Sequence, residues 1–236
     1  MTESSTATGR SRAKDVLRKF IPNVLLQQRG IVLRLGIGAG RIYTFLWLSD
    51  RFGMRSRNQR LAPASARSFL FVCYGNIMRS ALAEFLMCNA VSETAPEQSE
   101  KLQVRSAGLH AMNGKEAHPW AQEAAMQLGV SLADHRAKPL TMEMVGQADC
   151  ILVMDFQNKA ELMMLYPEAA EKVYMLSAYG EGPWKYREIP DPYHQDLERT
   201  FACGQQLQIC VKNLLSATVL AGNGSQKNPP KFVMQD

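Results

Sequence analysis

Acidic residues are scarce at the front of this chain. Residues 1–67 hold 3 Asp/Glu against 13 Lys/Arg, a formal +10, while residues 68–236 hold 19 acids against 14 bases. The net charge of +5 is therefore the balance of two unlike parts, and no nucleic-acid partner is expected. Cysteines are few and scattered. The five, at 73, 88, 150, 203 and 210, form no CxxC pair and no Cys/His zinc spacing, so no metal site is expected and free thiols in a reducing, cytosolic setting are the natural reading. Long apolar runs are missing as well. The most apolar stretch, IVLRLGIGAGRIYTFLWL at 31–48, carries Arg34, Arg41 and three glycines, whereas a membrane span takes about 20 predominantly apolar residues. A secretory signal fits poorly, because the apolar run starts late and charge interrupts it. The GIGAG at 36–40 lacks the GxGxxG spacing and a clear preceding strand, which removes a dinucleotide cofactor from consideration.

What is present begins with enough material for one globular domain and more: 236 residues, 46% of them hydrophobic. Residues 1–67 read as a basic, partly helical extension and linker. Val16, Leu17, Phe20, Ile21, Val24 and Leu25 line one helical face, although Pro22 interrupts a continuous helix. Three readings stay open for this segment: an element that rests on an anionic membrane surface through residues 10–60, an organelle-targeting peptide, or a helical extension packed on its own domain or on a partner. RSRNQRLAPASAR at 55–67 has linker composition. Residues 217–236 have the composition of a disordered tail.

From Ser68 the pattern alternates. Strands are expected at 68–74, 102–106, 150–155 and 172–179; helices at 80–91, from near Pro119, at 160–166 and at 194–215. Strands alternating with helices imply an α/β fold with a parallel sheet, whose ligands sit at the carboxyl ends of the strands. Cys73 would stand at such an end, in FVCYGNIMRS, where the chain turns into the first helix. Backbone N–H groups of a 73–80 loop, backed by the helix dipole, would cradle a phosphate-like dianion and favour a nucleophilic thiolate at Cys73. Arg79 supplies a planar fork for two phosphoryl oxygens. Gly75 permits a positive φ, and Asn76, which tolerates the left-handed region, would brace the loop with its amide. Ser80 can donate to the sulfur and ease its departure. Cys-x5-Arg alone is only moderately specific.

The chain resembles the low-molecular-weight protein tyrosine phosphatases. Their signature V-C-x-G-N-x-C-R-S-P is similar to Val72–Ala81, RSAGL at 105–109 to their S-A-G segment, DHRAKPLT at 134–141 to H-x-A-R-x-L-T, ADCILVMDFQN at 148–158 to A-D-x-I-L-x-M-D-x-x-N, and IPDPYHQD at 189–196 to their acid loop. The resemblance covers about 68–216. It implies a three-layer, four-stranded, flavodoxin-like fold and hydrolysis of phosphotyrosine through a cysteinyl phosphate, with no cofactor. Cys73 would be the nucleophile, Arg79 the phosphate ligand and Asp191 the general acid and base. Tyr74, Gly75, Asn76, Ile77, Met78 and Ser80 would line the phosphate loop, and Tyr193 would wall the entrance against an aromatic ring. Ser106 and His135 would hold the loop asparagine, and Asp155 would be a structural acid. The partner implied is a tyrosine-phosphorylated protein, in bacterial relatives a tyrosine autokinase.

Three positions depart from the pattern. Met78 replaces a cysteine that protects the nucleophile by forming a disulfide, so oxidised Cys73 should proceed toward sulfinic acid. Ala81 replaces a proline, and His194 stands where eukaryotic relatives often carry a second tyrosine. Cys88 is expected in the core. Two rivals stay open: a thioredoxin-coupled arsenate reductase, which would need a cysteine relay such as Cys203 and Cys210, and a catalytically silent binding module.

Overall fold

A computed structural model describes residues 23–54 and 60–220. The stripe from Val16 to Ile21 and the tail from 221 lie outside them, as does the first part of the 55–67 linker. Four strands form one parallel sheet: β1 (Ser68–Cys73), β2 (Gln103–Gly108), β3 (Cys150–Val153) and β4 (Val173–Met175), in the order β2-β1-β3-β4. β1 and β3 are apolar on both faces because both faces are covered, as in parallel sheets generally. Side chains of β1 alternate between two apolar layers: Phe69, Phe71 and Cys73 point into one, Leu70 and Val72 into the other.

The first layer lies under α2 (Arg79–Thr94), α3 (Pro119–Gln127) and the closing helix α6 (Leu197–Leu215). The second lies under α1 (Asn23–Arg51), α4 (Met142–Gln147) and α5 (Phe156–Leu165). Helix α5 starts earlier than its apolar pattern suggests, because the Asp155 carboxylate accepts the Asn158 N–H at 2.7 Å and caps the first turn. Asp196 caps α6 in the same way, through the Arg199 N–H at 2.7 Å. β4 is shorter than 172–179: as an edge strand it pairs only with β3, and after Met175 the chain curls into a 3₁₀ turn, Leu176–Tyr179. Past 216 the packed structure continues. Ser216–Leu220 forms a π turn that buries Thr218 and Val219, so the domain does not end where the tail composition begins.

The extension is a hairpin on the domain. α1 breaks at Gly36, whose φ of 73° and ψ of −178° lie in a region open essentially to glycine alone. The Tyr43 hydroxyl donates to Gln28 Oε1, although along a straight helix those residues would sit about 22 Å apart. A Cβ on Gly40 would lie 2.9 Å from Val32 Cγ1, so the two arms are in close contact. By length and composition Gln27–Arg51 is the one described helix that could cross a membrane. Folded at Gly36, each arm reaches only about 20 Å, short of the roughly 30 Å hydrocarbon core. Tyr43 and Leu46 are buried in the layer beside α5. The second half of the linker is packed too: the Ala62 N–H donates to the Tyr179 hydroxyl at 2.8 Å, and the Arg67 N–H to Asp149 at 2.9 Å.

Candidate active site

Cys73 ends β1 and Arg79 opens α2, so the residues between form a loop at the carboxyl end of the central strand. The first bond of α2 runs from the Leu82 N–H to the Met78 carbonyl, which leaves the N–H groups of the first turn without intrahelical acceptors and suited to an anion. The positive φ of the loop falls on Asn76 (52°), which tolerates the left-handed region, and not on Gly75. A Cβ on Gly75 would make only ordinary contact with Ile77, at 3.6 Å. The glycine this loop does require is Gly108 on β2. A Cβ there would lie 2.8 Å from both the Asn76 nitrogen and the Tyr74 oxygen, so the S-A-G segment is small to let the loop close against it.

Asn76 organises the loop through a chain of oriented hydrogen bonds. Its Oδ1 accepts the Lys138 N–H at 2.8 Å, which fixes the amide orientation. Its Nδ2 donates to Ser106 Oγ at 2.7 Å and to Ser80 Oγ at 2.9 Å. The Ser106 hydroxyl donates to Glu84 at 2.5 Å, and the Ser80 hydroxyl lies 3.0 Å from Cys73 Sγ, which accepts the Asn76 N–H at 3.3 Å. His135 Nε2 donates to the Asn76 carbonyl at 2.7 Å. Burial lowers the His135 pKa, with Lys138 and Arg136 adding to it against the opposing hydrogen bond, so the ring is a neutral donor. Burial raises the Glu84 carboxyl, opposed by Ser106 and Lys138. Ser106 and His135 thus hold the loop asparagine.

Arg79 is 2% exposed and makes three side-chain hydrogen bonds. Its Nη1 donates to Asp155 at 2.6 Å and to the Ile189 carbonyl at 3.0 Å; its Nη2 donates to Asp191 at 2.7 Å. Burial acts to lower the guanidinium pKa, but Asp155 and Asp191 outweigh it and hold Arg79 charged. The acid loop therefore meets the phosphate loop through one side chain, with Asp155 the more buried anchor and Asp191 the more exposed. Asp191 Oδ1 also accepts the Tyr193 N–H at 3.2 Å, which ties the position of the ring to that of the acid.

A cavity of about 330 Å³ opens on Cys73, walled by Tyr74, Ile77, Met78, Met112 and Tyr193. Tyr74 stacks on His110 with centroids 4.5 Å apart, and Tyr193 meets His118 edge-on at 5.6 Å. The sequence reading missed His110, Met112, His118 and Glu84. Only His110 had a visible signal, its place directly after the S-A-G segment. Cys88 is exposed and not in the core: its turn of α2 faces a shallow surface cavity with Val91 and Ser99. Cys203 and Cys210 are buried in α6, and burial pushes both thiols up to about 12.

Comparison with known proteins agrees with this geometry. The sequence model described as low molecular weight phosphotyrosine protein phosphatase matches residues 68–223. Low molecular weight protein-tyrosine-phosphatase Ptp of Acinetobacter johnsonii is 33% identical over 145 residues, 61% of this chain and 93% of its own. The crystal structure of the Erwinia amylovora tyrosine phosphatase amsI superposes with a TM-score of 0.59 at 30% identity, over 68% of this chain and 99% of its own. The YwlE arginine phosphatase from Geobacillus stearothermophilus superposes with a TM-score of 0.58 at 28% identity, over 70% and 99%. The chain belongs to the low molecular weight phosphotyrosine protein phosphatase family.

Proposed function

We propose that this chain hydrolyses phosphotyrosine in a protein substrate through a phosphocysteine at Cys73. The reading is carried by one arrangement: a thiol within 3.0 Å of the Ser80 hydroxyl at the head of α2, with Asp191 brought beside it by the Arg79 fork. In the first step Sγ attacks phosphorus, the phosphorus–phenol oxygen bond breaks, and Asp191 gives its proton to the departing phenolate. In the second, Asp191 takes a proton from water as the water attacks phosphorus, and Sγ leaves as a thiolate that the Ser80 hydroxyl stabilises. An entering dianion competes with Asp191 for Arg79 Nη2, while Asp155 and the Ile189 carbonyl keep Nη1 in place.

A phosphoarginine substrate is the second reading, raised by the structural similarity to YwlE. The cavity walls favour the aryl ester. Tyr74, Ile77, Met112 and Tyr193 offer apolar area to a ring, whereas the phosphorylated guanidinium keeps several N–H donors that need acceptors. Arsenate reduction is disfavoured because thiols held near 12 by burial are poor relay nucleophiles at neutral pH. The extension supports work at an anionic membrane surface, since the outer face of α1 exposes Phe45 and Leu48, and the turn after it Phe52, near Arg41 and Arg51.

Full-length protein is assayed in chelator against aryl phosphates of graded leaving-group pKa and against a phosphoarginine peptide. Turnover of the aryl esters, lost in Cys73→Ser, is expected. Asp191→Ala should slow esters with poor leaving groups by roughly 10²–10⁴-fold and those with good ones far less. Equal losses across the series would remove Asp191 from the acid role, and preferential turnover of phosphoarginine would replace the substrate class.

A further inference from the structure

The GIGAG turn places the extension beside the candidate active site. Beside the Cys73 cavity lies a second one of about 260 Å³, which shares Tyr74, Arg79, His110 and Asp191 with it. Its far wall is Arg34 and Leu35, the last residues of the first arm of α1 before the break at Gly36. Both lie outside the family-matched residues 68–223. The glycines explain the fit: Gly36 reverses the chain, and a Cβ on Gly38 would meet Met164 of α5 at 2.6 Å, so the turn sits close against the helix that carries Asn158 and Glu161 into the same cavity.

The charges of this cavity are already committed, with one exception. Asp155 and Asp191 are paired with Arg79, and Glu161 is hydrogen-bonded to the His110 ring. Arg34 is exposed and pairs with no acid among the described residues. A second unmet group lies just behind the wall: Asn158 lines the cavity and is 3% exposed, and its buried Oδ1 has no hydrogen-bond partner among the described residues. A buried acceptor of this kind calls for a donor from whatever enters. A peptide in extended form offers both complements, a backbone N–H for Asn158 and an acidic side chain for Arg34.

We propose that Arg34, Leu35 and Asn158 form a substrate subsite beside the phosphotyrosine pocket, in which Arg34 selects an acidic residue next to the phosphotyrosine. The extension is then a working part of the substrate cleft. The subsite rests on the phosphatase reading above, and its test separates the two. Full-length protein and its Arg34→Ala and Arg34→Glu variants are assayed with p-nitrophenyl phosphate and with paired phosphotyrosine peptides carrying Glu or Lys beside the phosphotyrosine. Wild type should favour the Glu peptide, and Arg34→Ala should lower its kcat/KM about fivefold, the worth of one partly exposed ion pair. Arg34→Glu should invert the preference, and added salt should narrow it in wild type. Turnover of p-nitrophenyl phosphate, which carries no acidic neighbour for Arg34, should fall less than that of the Glu peptide in both variants. An unchanged Glu/Lys ratio in both variants, or an equal fall for peptide and small ester, overturns the subsite while leaving the phosphatase reading standing. Failure of wild type to cleave the small ester overturns both.

Discussion

Glu188 stands immediately before the acid loop, and its carboxylate accepts the Phe156 N–H at 2.7 Å. Burial raises its pKa, the nearby charges of Asp155 and Asp50 add to the effect, and the Phe156 bond and Arg79 oppose it; the result is about 7, against an ordinary 4.5. The sign follows from proton counting. Between the unfolded and folded values the folded chain binds more protons, so the contribution is fully present below 4.5 and is lost as pH rises through about 7. Glu188→Gln keeps the acceptor for Phe156 and removes the charge. In urea unfolding from about pH 5 to about pH 8, wild type should lose on the order of 2 kcal/mol more than the variant. Parallel slopes would show that Glu188 does not titrate in this window. Glu188 was invisible in the sequence because its partners, Asp50, Asp155 and Phe156, come from distant segments. That Cys73, Arg79 and Asp191 come together was legible because each lies in a short motif with its own local spacing. The division of roles within the loop was less legible: Gly75 and Asn76 both admit the left-handed region, and only the fold reveals that Asn76 takes it and that Gly108 gives the loop room.

At the scale of elements, β1 and β3 were readable as unbroken apolar runs, and α6 from its helical pattern. The hairpin in α1 was not. Helical periodicity continues through Gly36, and nothing local distinguishes a helix that runs on from one that folds back on itself. Its glycines make a discriminating series, because alanine in a helix interior gains about 1 kcal/mol over glycine unless something blocks it. At Gly38 the added methyl meets the Sδ and Cε end of Met164, which can swing aside. At Gly40 it meets Val32 Cγ1 at 2.9 Å and the Val32 carbonyl at 3.1 Å, a stiff branched side chain and the backbone. Gly38→Ala should therefore leave thermal stability unchanged or raised, whereas Gly40→Ala should cost about 1–3 kcal/mol and speed amide exchange across 27–51. Equal protection in the two variants would mean that the arms are not closely packed at Val32.

For the whole molecule, the charge asymmetry and the hairpin belong to one arrangement. The inner face of the second arm, Tyr43 and Leu46, is buried beside α5. Phe45, Leu48 and Phe52 recur at helical spacing on the opposite side, and Phe45 and Phe52 are 64% and 77% exposed. Arg41 and Arg51 border that stripe, within a segment of formal charge +10 that contrasts with the acidic remainder. An apolar stripe with a basic border suits the boundary of an anionic leaflet, where each Lys or Arg adds about 1 kcal/mol, and short arms lying flat need no span. In sedimentation with vesicles, full-length protein should partition onto phosphatidylserine-containing membranes and little onto phosphatidylcholine alone, with binding reduced by salt. Phe45→Asp combined with Phe52→Asp should abolish partitioning while leaving p-nitrophenyl phosphate turnover intact, since neither residue lines the catalytic cavities. Binding that ignores both lipid charge and the double substitution would exclude the hairpin as the contact, and no binding to either vesicle would exclude the membrane reading.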